Sequence, residues 1–296
     1  VNSINVAIVQ QKMTAVYKNN LDYSLAQIQS AAKSGADMVV LCELHSGLYF
    51  CQEESTRYFE LAQTIPGPLT ESLAAAAKQN NVLIVGSLFE KRTNGLYHNT
   101  AVVFDRDGSM AGMYRKMHIP DDPGYYEKYY FAPGDTGFTP IQTSIGKLGV
   151  MVCWDQWYPE GARLMALAGA EMLIYPSAIG WDLRDDSNVR QRQLQAWQAI
   201  QKSHAIANNL PLISTNRVGH EQDPSNQSQG IQFWGQSFIT DCMGEIIAQA
   251  SEENAEIIQA SINLSETEKT RQLWPFLRDR RIDAYENLSK RFIDKK

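Results

Sequence analysis

The sequence predicts a layered α/β domain with mixed sheets, from three observations. Short apolar runs alternate with helical patterns, two hairpin turns interrupt that alternation, and no linker divides the chain. In order, the strand-like runs are residues 4–10, 37–42, 82–89, 100–105, 148–153, 171–175, 211–217, 236–241 and 257–262. Leu21, Leu25, Ile28 and Ala32 recur at helical spacing and stop before Gly35, and residues 69–79 and 189–208 supply two further amphipathic segments. Asp105-Arg-Asp-Gly108 and Asp241-Cys-Met-Gly244 read as hairpin turns, each followed by a short strand. A helix starts near Pro159, and a charged helical run is expected after Trp274-Pro275-Phe276. No Pro-, Gly- or Ser-rich spacer or repeat intervenes, so residues 1–296 read as one domain, with the segment from about 267 placed to contact a neighbouring subunit. Residues 118–137 and 219–235 are long irregular stretches, which in compact domains are usually functional or disordered.

Composition narrows the function. With 296 residues, 44% hydrophobic and 20% charged, the chain can bury a substantial core. No apolar run approaches the roughly 20 residues of a membrane-spanning helix. Residues 1–10 alternate like a strand instead of presenting a basic region before an apolar one, so a cytoplasmic location is expected. The formal charge of −6, from 27 basic and 33 acidic residues, offers no footprint for nucleic acid and favours a neutral or cationic small substrate. Cys42, Cys51, Cys153 and Cys242 include no CxxC pair, and the five histidines show no paired metal spacing. Reduced thiols and a reaction without metal or cofactor are therefore expected.

The chemistry concentrates at Gly149-Val-Met-Val-Cys-Trp-Asp-Gln-Trp-Tyr-Pro-Glu160, where an apolar run ends on one cysteine and turns at once into a helix. An isolated cysteine is often only a small buried hydrophobe. Here Trp154, Asp155, Gln156 and Trp157 are too large and polar for a routine connection, and they read as a pocket wall. Cys153 at the open edge of a sheet, beside the unpaired N–H groups of a tight turn, has the setting of a nucleophile.

A thiol nucleophile needs a base and a group to receive the developing oxyanion. Glu43 directly follows the run Met38-Val-Val-Leu-Cys42 and so emerges at a strand end, although glutamates are mostly exposed. Lys116, in Met113-Tyr-Arg-Lys-Met-His-Ile-Pro120, follows another strand-like segment and could stabilise both thiolate and oxyanion. Its neighbours Arg115 and His118 are rivals that spacing does not exclude, and a Cys-His pair using His118 stays open on these residues alone.

Glu43 in Leu-Cys-Glu-Leu, Lys116 in Tyr-Arg-Lys-Met-His and Cys153 in Val-Cys-Trp-Asp, in that order, resemble the Glu-Lys-Cys triad of the nitrilase superfamily of carbon-nitrogen hydrolases. The resemblance spans nearly the whole chain. Finer motifs, among them Tyr49-Phe-Cys-Gln52, residues 116–124, Cys153-Trp-Asp-Gln-Trp157, residues 175–180 and residues 274–281, resemble the N-carbamoylputrescine amidohydrolase branch. After Gly180 the chain departs from that branch, reading Trp181-Asp182-Leu183.

The resemblance implies a four-layer αββα sandwich, a homo-oligomer (a dimer or a higher assembly of dimers) and no cofactor. It implies a second glutamate, Glu127, beside the lysine, and an oxyanion site completed by the Trp154 N–H. Tyr49, Tyr125, Trp154, Ser177 and Asp182 are expected to bind a small cationic ureide. Glu54, Asp121, Asp122 and Asp155 add acids to these segments, whereas Arg184 is the one local base that would favour an acidic substrate. A β-ureidopropionase-like enzyme is therefore the alternative, followed by a non-catalytic binding protein of the same fold.

Overall fold

In strand β1 (Ser3–Gln10), Ile4, Val6 and Ile8 enter one apolar cluster while Ala7 and Val9 enter another. That period of two is what a strand covered on both faces requires. The same division recurs in β2 (Met38–Leu41), β3 (Leu83–Thr93) and β4 (Leu96–Phe104), where Val40, Val85 and Val103 face the first cluster and Val39, Ile84 and Val102 the second. Full burial of each such side chain contributes about 1.5–3 kcal/mol. The computed structural model describes residues 3–294.

The remaining strands are β5 (Met110–Arg115), β6 (Ile141–Thr143), β7 (Gly146–Val150), β8 (Met172–Pro176), β9 (Gly180–Asp182), β10 (Leu212–Thr215), β11 (Val218–Glu221), β12 (Ile231–Trp234), β13 (Phe238–Thr240), β14 (Ile246–Gln249) and β15 (Glu256–Asn263). One six-stranded sheet runs β15-β1-β2-β3-β4-β5, a second β14-β13-β10-β8-β7-β6, and a small sheet β11-β12-β9. Both large sheets are mixed. β1, β2 and β3 are mutually parallel, as are β7, β8 and β10, while β15, β4 and β13 are antiparallel to their neighbours.

Helices α1 (Tyr17–Lys33) and α2 (Pro68–Asn80) bury Ile28, Ala31, Leu69 and Leu73 against the second cluster, on the outer face of the first sheet. Pro68 opens α2 at its first turn, where a missing N–H costs nothing, and Asn81 closes it in the left-handed conformation at φ +51°. Helices α3 (Pro159–Leu167) and α4 (Ser187–Asn208) cover the other sheet, with Trp197 edge-on to Phe238 at 5.3 Å. Asp186 caps α4 by accepting from the N–H groups of Asn188 and Val189. Helix, sheet, sheet, helix is the four-layer αββα order, with the first cluster as the seam between the sheets.

Two differences from the sequence reading have physical causes. Several strands, such as β6 and β9, are only three residues long and too short to show a period. The helix near the C-terminus, α5 (Leu264–Leu273), lies before Trp274, and only short turns at Ile282–Ala284 and Glu286–Ser289 follow. The expected charged helix there does not form: Ile282, Leu288 and Phe292, the side chains that would anchor it, stay exposed, and a short helix without a buried face is marginal in water. Leu273, Ile282, Leu288 and Phe292 are left exposed on this segment. Among the described residues no helix is long and apolar enough to cross a membrane.

Candidate active site

The site forms where strand ends of the two large sheets meet. Glu43 lies two residues beyond β2, Lys116 directly follows β5, and Cys153 opens a short helical turn, Cys153–Trp157, after β7. β5 runs parallel to β2 because two antiparallel steps separate β3 from β5, so Glu43 and Lys116 leave the first sheet at one edge. Cys153 arrives from the other sheet. Leu44 at φ +50° and Cys153 at φ +41° both occupy the left-handed region, an unfavourable conformation for residues with side chains that turns the chain sharply at the base and at the thiol.

Lys116 Nζ donates to Glu43 Oε1 at 2.8 Å and to Glu127 Oε2 at 2.7 Å. All three side chains are buried. Glu127, on the helical turn Glu127–Tyr129, is fixed by the Tyr49 hydroxyl, which donates to its Oε1 at 2.7 Å. Asn99 Nδ2 donates to Glu43 Oε1 at 2.6 Å, and the Asn99 carbonyl accepts the Lys116 N–H at 2.9 Å. Glu43 Oε2 is buried with no hydrogen-bond partner among the described residues, an open acceptor beside an ammonium.

Burial opposes the charge on Lys116, yet the carboxylates of Glu127 and Glu43 outweigh it and hold the ammonium well above the usual lysine range. Burial pushes the Glu127 carboxyl up to about 7 against the pull of Lys116, with Glu43 adding to the rise. The Cys153 thiol is raised by burial and then by Glu43, with Lys116 acting the other way. Burial and Glu43 thus both favour the neutral thiol over the thiolate at Cys153. The Trp154 N–H, next along the turn, donates to no backbone or side-chain acceptor among the described residues.

The other expected residues are distributed unevenly. Tyr125 joins the site's wall, its hydroxyl accepting from the Gly180 N–H at 3.0 Å and donating to the Gly180 carbonyl at 3.2 Å. Trp154 is half-buried, edge-on to Trp157. Ser177 lies beneath the cluster, fully buried, with its hydroxyl donating to Gln156 Oε1 and its carbonyl accepting the Glu43 N–H. Asp182 sits at the end of β9 with its carboxylate engaged by Arg184, whose Nε donates at 3.0 Å to both oxygens. Asp155 is not an available acid: it accepts from the Tyr114 hydroxyl, from the Val152 N–H and from His118. His118 is thereby occupied with Asp155 and stacked 3.8 Å from Tyr158, rather than paired with the thiol. Access does not single out Cys153 either, since all four cysteines are free and buried.

Sequence reasoning missed the brace beneath the site. Arg217 is fully buried, and its Nη2 donates to the carbonyls of Glu43 at 2.7 Å and Leu44 at 3.1 Å. Its Nη1 donates to the Gly47 carbonyl and to Glu221 Oε1, and Glu221 Oε2 accepts the Tyr49 N–H at 2.6 Å. One ion pair thus fixes the backbone from Glu43 to Tyr49, and with it two members of the cluster. Asn99 was missed as well. It lies in β4, just before the strand-like run 100–105 read from the sequence, and nothing in its spacing points to Glu43.

A buried thiol close to a Glu-Lys-Glu cluster is an arrangement that can carry out acyl transfer at a carbonyl, a reaction that needs a nucleophile, a base and an oxyanion site in one place. Among the described residues no group of His, Cys, Asp or Glu is placed to hold a metal ion. Comparison with known proteins gives the family. The model of the carbon-nitrogen hydrolase family matches residues 5–272. An N-carbamoylputrescine amidase from Oryza sativa is 41% identical over 97% of this chain and 95% of its own. A citrullinase from Francisella tularensis is 39% identical over 98% of this chain and 99% of its own. The crystal structure of a carbon-nitrogen hydrolase from Helicobacter pylori superposes with a TM-score of 0.96 at 52% identity, covering 98% of this chain and all of that one. Fold, site and relatives converge on one statement: the chain belongs to the carbon-nitrogen hydrolase family of the nitrilase superfamily and is an amidohydrolase.

Proposed function

We propose that the protein hydrolyses N-carbamoylputrescine to putrescine, carbon dioxide and ammonia through a cysteine-linked acyl intermediate. The observation that carries this is the buried Lys116 held between Glu43 and Glu127, with one Glu43 oxygen left without a hydrogen-bond partner among the described residues. Cys153 attacks the ureido carbon while Glu43 takes the thiol proton, and the oxyanion is received by the Lys116 ammonium and the Trp154 N–H. Glu43 then protonates departing ammonia, and a water it activates cleaves the acyl–sulfur bond, returning the thiol and releasing a carbamic acid that breaks its C–N bond to give putrescine and carbon dioxide. Glu127 and Tyr49 keep the lysine in place. The identity to plant N-carbamoylputrescine amidases supports the choice of substrate.

One observation favours a second reading for the far end of the substrate. Asp182 and Arg184 form an exposed ion pair at the end of β9, the strand whose first residue bonds Tyr125. Such a pair presents both signs, which suits the amino-acid end of a citrulline-like ureide as well as the ammonium of N-carbamoylputrescine. Ammonia release from N-carbamoylputrescine, N-carbamoylcadaverine, citrulline, N-carbamoyl-β-alanine and simple amides distinguishes them. For the first reading, Asp182→Asn raises KM for N-carbamoylputrescine by about 10-fold or more, with little effect on an uncharged N-alkylurea. Arg184→Ala leaves that KM unchanged or lower. A KM that rises in both variants for citrulline, with no turnover of N-carbamoylputrescine, replaces the first reading with the second; preference for N-carbamoyl-β-alanine rejects both.

The proposal extends to assembly. Leu273, Ile282, Leu288 and Phe292 are between 67% and 79% exposed, a set of apolar side chains that a second copy would cover. Sedimentation is expected to show a dimer or an assembly of dimers, and loss of association in a Leu288→Asp, Phe292→Asp variant. A monomer at micromolar concentration rejects this role for the segment.

A further inference from the structure

Asp155 is fully buried two residues beyond the thiol, and both of its oxygens are occupied by the protein. Oδ1 accepts from the His118 main-chain N–H at 2.9 Å and from the His118 ring Nδ1 at 2.7 Å. Oδ2 accepts from the Val152 main-chain N–H at 3.0 Å and from the Tyr114 hydroxyl at 2.8 Å. These partners come from two sides of the seam. Val152 immediately precedes Cys153, at the end of the second sheet, whereas Tyr114 and His118 stand two residues before and two residues after Lys116, at the end of β5 in the first sheet. Because β5 and β7 belong to different sheets, no backbone ladder between them sets how far the thiol lies from the ammonium.

We infer that Asp155 is a positioning residue for the hydrolytic reaction: its carboxylate spans the seam and sets the separation of the Cys153 thiol from the Lys116 ammonium. It rests on the roles proposed above for those two groups. None of its four side-chain bonds goes to Cys153, Lys116 or Glu43, so it acts through the chain on either side of them. Cys153 at φ +41° needs such support, since a left-handed residue with a side chain persists only where its surroundings hold it. A misplacement of about 1 Å between reacting groups can cost on the order of 10²-fold in rate. The residue type follows from the donors. A tyrosine hydroxyl and an imidazole can each turn from donor to acceptor, but the two main-chain N–H groups only donate, and one lies on each oxygen. An amide in this place can accept from only one of them and sets its NH₂ against the other, so Asp155→Asn cuts the bridge at nearly constant size.

The test uses the full chain and any ureide or amide that the wild-type enzyme turns over, well below the melting temperature. Asp155→Asn is expected to lower kcat at least ~10-fold with KM within about 3-fold. Asp155→Ser, whose single oxygen can accept from one main-chain N–H without opposing the other, takes its place if the asparagine variant does not fold. Two controls keep the bridge. His118→Ala loses only the ring's bond to Asp155, and Ile28→Ala weakens the outer cluster around α1, so both should keep kcat within about 3-fold even as their melting temperatures fall. A role in stability alone gives a lower melting temperature for the Asp155 variant and a kcat equal to that of Ile28→Ala, and this result overturns the inference. An equal kcat loss in His118→Ala overturns it too, because the main-chain bonds are then not what matters. Cys153→Ala, run in parallel, separates the two failures. If it is inactive while Asp155→Asn is normal, only the positioning role falls; if it stays active, the nucleophile falls and the positioning role with it.

Discussion

Cys153→Ala is expected to lower ammonia release by at least ~10³-fold while the protein stays folded. The change removes one sulfur from a nearly closed site, and that atom's only hydrogen bond is a weak 3.8 Å contact to the Ala178 carbonyl, so little packing is lost. Cys153→Ser should fail similarly, because a hydroxyl in the same place is far less acidic than a thiol. Since burial and Glu43 raise the thiol, iodoacetamide should inactivate the wild-type enzyme slowly at neutral pH and faster as pH rises, in step with the thiolate fraction. Turnover and near-ultraviolet circular dichroism check both halves. Retention of more than about 1% of activity in a folded Cys153→Ala protein would remove the thiol from the mechanism.

Lys116→Met should lower kcat by at least ~10²-fold, as expected when a group that receives an oxyanion is removed. It should also destabilise. Among the described residues the ammonium is the only positive charge bonded to the carboxylates of Glu43 and Glu127, and breaking a buried pair of this kind costs about 3–5 kcal/mol before any proton is taken up. The sign of the pH dependence follows. With Lys116 gone, the folded protein holds a proton that the unfolded chain releases near a carboxylate's ordinary value of about 4.3. Stability is then greatest in acid and falls as pH rises through the elevated folded value. His118→Ala, which loses only its bond to Asp155 and its stacking on Tyr158, should leave kcat within about 3-fold. Thermal melts across pH and side-by-side kinetics test both; a larger kcat loss for His118→Ala would restore the Cys-His pair.

Glu43 and Cys153 were visible as candidates because each stands at the end of an apolar run, where periodicity announces a strand and its open edge; Lys116 follows the mostly half-exposed strand Met110–Arg115, and only the resemblance chose it over Arg115 and His118. Glu127 was not legible in that way: it lies on a single helical turn within an irregular stretch, and only the family resemblance pointed to it. The Arg217 brace was hidden for a different reason. Its bond to the Glu43 carbonyl joins residues 174 apart, and acceptors on the backbone leave no trace in side-chain identity. The engagement of Asp182 by Arg184 is local, but the sequence does not show which of several nearby acids the guanidinium meets. Layering was foreseen from alternating strands and helices, whereas strands of three residues fall below any readable period.

The pairing of β1 with β15 sets an order on how the enzyme comes into being. Ser3 lies opposite Asn263 and Gln10 opposite Glu256, so the strand that leads this domain in chain order waits for one made much later. Until residues 256–263 have been made, β1 presents a bare flank of apolar, β-branched residues, a surface that invites pairing with another nascent chain. The long separation between partners also slows the closing of the sheet. A chain cut short before β15 is thus expected to be lost to aggregation rather than to persist as a weak enzyme, and the first sheet is closed only once residues 256–263 have been made.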